Sequence, residues 1–213
     1  MRSISFAILA LAVASTGCAT QGAVIRGNVS PPAAGGTGAT VSRAEAAKAE
    51  AVVYVARRKP APTDRRHAAP KPSPVGPPIH VSEGPDGFTP RVIVVRPGET
   101  VLFENHDRVY HNAFSVSPVQ RFDLGKIAPG AARSMKFAHP GVVRVFCDLH
   151  PAAAAWVFVA PTDAFAQPDR SGAYALPALP PGSYEVRAWH PRWGERQWSV
   201  ELPRTGLALD VKF

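Results

Sequence analysis

Cysteine and methionine are scarce in this chain, with two of each among 213 residues. Two cysteines rule out the multi-disulfide framework of a small exported scaffold. They can form one bridge with each other or serve separate ends. Separate ends fit better, because Cys18 lies behind an apolar amino-terminal run and Cys147 ends a β-branched stretch. Charge is low as well, at 19% of residues. Beyond the amino terminus, no apolar run approaches the roughly 20 residues of a membrane-spanning helix. Proline and glycine are plentiful instead: 23 and 17 residues break long helices repeatedly and demand turns. The length admits one large domain or two small ones.

What charge there is lies unevenly. The formal net charge is +8, and Arg57, Arg58, Lys59, Arg65, Arg66 and Lys71 carry much of it. Pro and Ala separate these residues, not aromatics, so the stacking platforms that hold single-stranded nucleic acid are missing and nucleic acid is excluded as a partner. A solvated linker is the expected role; attraction to anionic headgroups or an acidic protein is the alternative. Residues 1–17 (MRSISFAILALAVASTG) carry Arg2, then an apolar run too short to span a bilayer, then small residues. That is the pattern of an export signal. Ser15-Thr16-Gly17-Cys18 resembles a bacterial lipobox, with Ser15 where Leu is usual. The resemblance implies lipidation at Cys18 and a bacterial periplasmic or cell-envelope protein whose only membrane contact is its acyl chains. An ordinary signal cut nearby is the other reading.

The rest predicts an all-β protein. Residues 23–29 alternate weakly, 31–39 form a Pro/Gly/Ala loop, 44–51 suit a short helical turn, and 51–55 are β-rich. Residues 59–85 are expected to be a Pro-rich basic linker. Short strands are then predicted over 91–95, 100–103, 122–127, 132–137, 142–147 and 156–159. Pro97-Gly98, Pro129-Gly130 and Pro140-Gly141 mark turns among them. This spacing suits an antiparallel sandwich over 86–161. The tail repeats the style over 172–176, 184–189, 197–202 and 207–213.

Cys147-Asp148-Leu149-His150 is the sharpest local signal. Alternation along the strand before it places Val143, Val145 and Cys147 on one inward face. A thiol thus points into the core at a strand end, and an imidazole follows three residues later. A soft thiolate with imidazoles suits copper in a trigonal site. The candidate third ligand is His111, in the segment after the strand ending at Phe103. His67, His80, His106, His139 and His190 are expected to be solvated or structural.

The run FTPRVIVVRPGETVLFENHD, then VYHNAFSVS, then PGAARSMKF, then HPGVVRVFCDLHP resembles a cupredoxin (plastocyanin-like) domain. The resemblance covers about a third of the chain. It implies a Greek-key β-sandwich with one type 1 (blue) copper ion held by His111, Cys147 and His150. It also implies that hydrogen bonds from Asn112 tie the two ligand loops together. One departure stands out. Relatives with this loop carry an axial Met three residues after the second His, and here that position is Ala153. Met135, the only methionine beyond the first residue, shares strand parity with Phe137 and reads as a core residue. Either copper is held by three strong ligands, with a raised potential, or the site has decayed and Cys147 is a buried hydrophobe.

The carboxy-terminal stretch DRSGAYAL, then LPPGSYEV, then AWH resembles a carboxypeptidase-regulatory-like β-sandwich. The opening strands usual for such modules have counterparts far upstream, IRGNV and AVVYV. The expected organisation is one discontinuous sandwich of residues 22–58 plus 163–213, with the cupredoxin inserted. The function expected is electron transfer to an unknown redox partner protein; a non-redox binding or scaffold protein with a degenerate site is the alternative. Enzymatic activity is not expected. The chain has no His-x-His pair for further copper centres, and no nucleophile–base pair stands out.

Overall fold

A computed structural model describes residues 22–32, 47–58 and 76–213. The export signal, Cys18 and the basic run from Lys59 to Lys71 lie outside the described residues. The described part is all-β. Its strands are β1 (Ile25–Ser30), β2 (Val52–Arg58), β3 (Ile79–Gly84), β4 (Gly87–Thr89), β5 (Val92–Val95), β6 (Thr100–Asn105), β7 (His111–Ser117), β8 (Gln120–Ile127), β9 (Ala132–Lys136), β10 (Gly141–Phe146) and β11 (Ala154–Val159). The tail adds β12 (Phe165–Ala166), β13 (Ala173–Ala175), β14 (Gly182–His190), β15 (Gly194–Leu202), β16 (Leu207–Ala208) and β17 (Val211–Lys212).

Two sheets of the middle segment, β5-β11-β10-β7-β8 and β4-β3-β6-β9, enclose one core. Alternation builds it. Val143 and Val145 of β10, Ala155, Val157 and Val159 of β11, and Val101 and Phe103 of β6 all point inward and are buried, with Phe137 beside them. Met135 packs against this core, as its parity requires. β3 corrects the expected linker over 59–85. Ile79–Gly84 is a full strand, parallel to β6 from Ile79↔Val101 to Glu83↔Asn105. Its inward series is Ile79, Val81 and Glu83, and the last member is charged, so the period-2 signal was hidden.

Strands from both ends of the chain build the second unit. β1 lies between β13 and β16 and also pairs with β17, while β2 lies between β12 and β14 in the order β12-β2-β14-β15. Val29, Val53, Val55, Leu176, Val186, Ala188 and Val211 share its core. Neither half has enough strands to be stable alone, so the long-range pairing is what makes the unit possible.

The continuous apolar runs VVYV, VIVV and WVFVA have one cause: their strands are covered on both faces. Val53 and Val55 of β2 face the second core, whereas Val52 and Tyr54 join Val92, Phe158 and Ala160 in a third cluster between the units. Phe158 meets the rings of Tyr54 and Trp189 there at centroid distances of 5.1 and 5.4 Å.

His190 shows why a histidine belongs inside this unit. It is 1% exposed and stacks on Trp193 at 3.6 Å. Nε2 donates to Ala47 O at 2.9 Å, and Nδ1 accepts from the backbone N–H groups of Arg192 (3.1 Å) and Trp193 (3.2 Å). Both nitrogens are satisfied by the neutral ring, and burial pushes the pKa down to about 4. The unfolded chain binds the proton more tightly. The neutral ring's contribution is therefore complete above pH 6.5 and is lost as pH falls toward 4, a difference of about 3 kcal/mol. Urea unfolding at several pH values should show this loss in the wild type. His190→Gln should remove that part of the pH dependence. Identical pH profiles for the two proteins would refute the assignment.

Candidate metal centre

Three side chains meet at one end of the first sandwich. Cys147 follows β10, whose alternation turns its thiol inward, and it is 3% exposed. His111 opens β7 and is fully buried, while His150 lies in the turn after Cys147 and is partly exposed. Cys147 Sγ is 3.9 Å from His111 Nδ1 and 3.6 Å from His150 Nδ1. The three donor atoms lie within 4.8 Å of one another, close enough to share one metal ion. The two imidazole rings stand 4.3 Å apart, tilted by 33°.

Backbone hydrogen bonds set this geometry. Ala153 N–H donates to His150 O (2.8 Å), and Cys147 N–H donates to Ala153 O (3.4 Å), which closes the ligand loop into a tight turn. Ala153 is buried but offers the site no side-chain donor. A Cβ on Gly87 would stand 3.4 Å from the Cβ of Ala153, so β4 packs directly against this position. The Asn112 backbone N–H donates to Cys147 Sγ at 3.3 Å. Asn112 therefore does link the two ligand segments, but through its main chain; its buried side-chain Oδ1 has no hydrogen-bond partner. The register of β7 on β8 shifts just after Asn112, and such bulges commonly re-aim side chains beside sites.

Two acidic residues that sequence reasoning missed flank His111. Asp107 Oδ2 is 3.1 Å from Nε2 and accepts a hydrogen bond from it in the tautomer that carries the proton there. Asp107 is itself placed by Asn105, whose Oδ1 accepts the Asp107 N–H (2.8 Å) and whose Nδ2 donates to Val109 O and Ile127 O. The Arg108 N–H and then the His111 ring hold the Asp107 carboxyl below its usual range. With Nε2 carrying the proton, Nδ1 is the bare nitrogen and faces the thiol, the tautomer a metal requires. On the other side, Glu83 Oε1 stands 3.1 Å from Nδ1. Burial pushes the Glu83 carboxyl up, against the pull of the Cys147 thiol and of His111. Burial also pushes the Cys147 thiol up, the Asn112 N–H opposes this, and Glu83 adds to it. The sequence carries only faint signals of them: Glu83 is in phase with Ile79 and Val81, and Asp107 lies four residues before His111.

The remaining histidines lie elsewhere. His80 and His106 are exposed and both approach Glu104, at 3.1 and 3.8 Å. His139 is exposed at a turn, and His67 lies outside the described residues.

No protein-family model matches the chain, and no curated protein matches it. Solved structures do. A purple cupredoxin from Nitrosopumilus maritimus is 22% identical with a TM-score of 0.36, over 38% of this chain and 99% of that one. A copper-containing nitrite reductase from Thermus scotoductus SA-01 is 23% identical with a TM-score of 0.39, over 45% of this chain and only 25% of that one. An alanine-for-methionine variant of amicyanin in its Cu(I) form is 20% identical with a TM-score of 0.37, over 50% of this chain and 97% of that one. Each likeness covers half of this chain or less.

Proposed function

We propose that this protein is an exported electron carrier that holds one copper ion through Cys147, His111 and His150, and that it is not an enzyme. The observation that carries the reading is the convergence of one thiol and two imidazole nitrogens at 3.6–3.9 Å in a buried strand-end site. A soft sulfur with two imidazoles is a donor set that favours copper over the hard cations. Bound copper would supply one-electron redox chemistry. The chain's own residues keep the donors in fixed positions: Asp107 orients His111, the Asn112 N–H holds the sulfur, and the turn through Ala153 seats His150. His150 is the partly exposed member, so its outer edge is the route by which an electron enters and leaves.

In this reading the export signal and Cys18 make the protein a lipid-anchored component of the bacterial periplasm or cell envelope, serving a redox partner protein. The second unit is a carboxypeptidase-regulatory-like module that supports the copper domain. Protein purified from copper-supplemented cells should contain equimolar copper and show an intense visible thiolate-to-copper band. One observation favours a second reading, a non-redox scaffold: Ala153 brings no side-chain donor to the site. Metal-free, colourless protein after copper supplementation would decide for that reading and against electron transfer.

A further inference from the structure

Glu83 is a buried acid at the edge of the metal centre, beside His111 and Cys147. Its side chain is 1% exposed, yet neither carboxylate oxygen has a hydrogen-bond partner. Oε1 lies only 3.1 Å from His111 Nδ1. A buried carboxylate without partners is strongly disfavoured, and such groups are normally paired or bound to metal. In the tautomer whose proton sits on Nε2, toward Asp107, the nitrogen within reach is the bare Nδ1 of His111. Two lone pairs at 3.1 Å repel unless a proton or a metal ion lies between them. Three of the groups packed around this point are anionic or electron-rich: the Cys147 sulfur, the Glu83 oxygens and the His111 nitrogen.

We propose that the Glu83 carboxylate is the fourth ligand of the metal centre, supplied by β3 in place of the axial side chain that position 153 lacks. The inference rests on the copper reading above and names a donor that reading leaves open. Charge favours it: thiolate and carboxylate together neutralise a dication, so the set of four ligands carries no net charge when loaded with Cu(II). Backbone placement favours it too. Glu83 pairs with Asn105 in the β3–β6 ladder, and its carbonyl accepts the His106 N–H at 3.0 Å, which fixes the strand end beside the loop that carries Asp107. A hard oxygen donor prefers Cu(II) to Cu(I), so the centre is tuned toward its oxidised form.

The test uses the exported full-length protein, purified in detergent and loaded with copper. X-ray absorption of the wild type should show one sulfur, two imidazole nitrogens and one further oxygen at bonding distance. Glu83→Gln should weaken Cu(II) binding by about tenfold or more. It should shift the visible band and the copper hyperfine splitting, and it should leave Cu(I) affinity much less changed. A wild-type shell with no oxygen beyond the imidazoles overturns the proposal, as does a Glu83→Gln protein with an unchanged band and unchanged Cu(II) affinity. X-ray absorption needs no variant, so a Glu83→Gln protein that fails to fold leaves the question decidable. Absence of the thiolate band in the wild type overturns the copper reading itself, and it would be seen before any variant is made.

Discussion

Replacing Cys147 with Ser should abolish the visible thiolate-to-copper band completely while leaving the protein folded. The band needs a deprotonated sulfur bonded to the metal. A serine hydroxyl ionises far too reluctantly to replace it, above all in a site that already pushes the Cys147 thiol up. The fold should tolerate the change. Ser is nearly isosteric, and its oxygen can accept the N–H of Asn112 that now meets the sulfur at 3.3 Å. The expected stability change is on the order of 1 kcal/mol. Absorption spectra of copper-loaded wild type and variant, with thermal melts alongside, test both halves. A band that survives in the variant would mean that the thiolate is not the ligand.

Gly27→Ala should have the largest effect on the fold, in the unit away from the metal. A Cβ at this position would lie 2.0 Å from Leu209 O and 2.6 Å from Leu209 C. The obstacle is backbone, and it cannot easily move. Leu209 N–H donates to Arg26 O (2.9 Å), Leu209 O accepts the Tyr174 hydroxyl (2.6 Å), and Asp210 Oδ1 accepts the Asn28 N–H (2.9 Å). The variant should lose about 3 kcal/mol or more, lowering Tm by roughly 10 °C, with earlier proteolysis of the carboxy-terminal strands. Gly84→Ala is the control, since nothing lies within 4 Å of its Cβ position. Equal melts for the two variants would show that β1 does not pass this close to residues 209–210.

The parts of this molecule that the sequence announces are those with a strong local period. Val143, Val145 and Cys147 alternate plainly, and all three are buried on one face. The triad was legible because Cys147 and His150 are local to each other and His111 has its own motif. What stayed hidden depends on distant partners. The inward face of β3 ends in Glu83, so a charged residue at a core position disguised the strand as linker. Its meaning appears only once β6 brings it beside His111. The expected link through Asn112 runs from its backbone N–H to the Cys147 sulfur, a detail that depends on which main-chain groups the bulge in β7 presents. The double coverage of β2, β5 and β11 was written in their unbroken apolar runs, but which neighbour covers each face is a tertiary fact.

The pairing of β1 with β13, β16 and β17 also has a mechanical meaning. A tether attached at the amino end would deliver its pull into β1. From there the load spreads into strands that all belong to the second unit. The ligand cluster sits in the segment between β2 and β12, off that line of force. Pull on such a tether would therefore strain the second unit first, ahead of the distances among His111, Cys147 and His150.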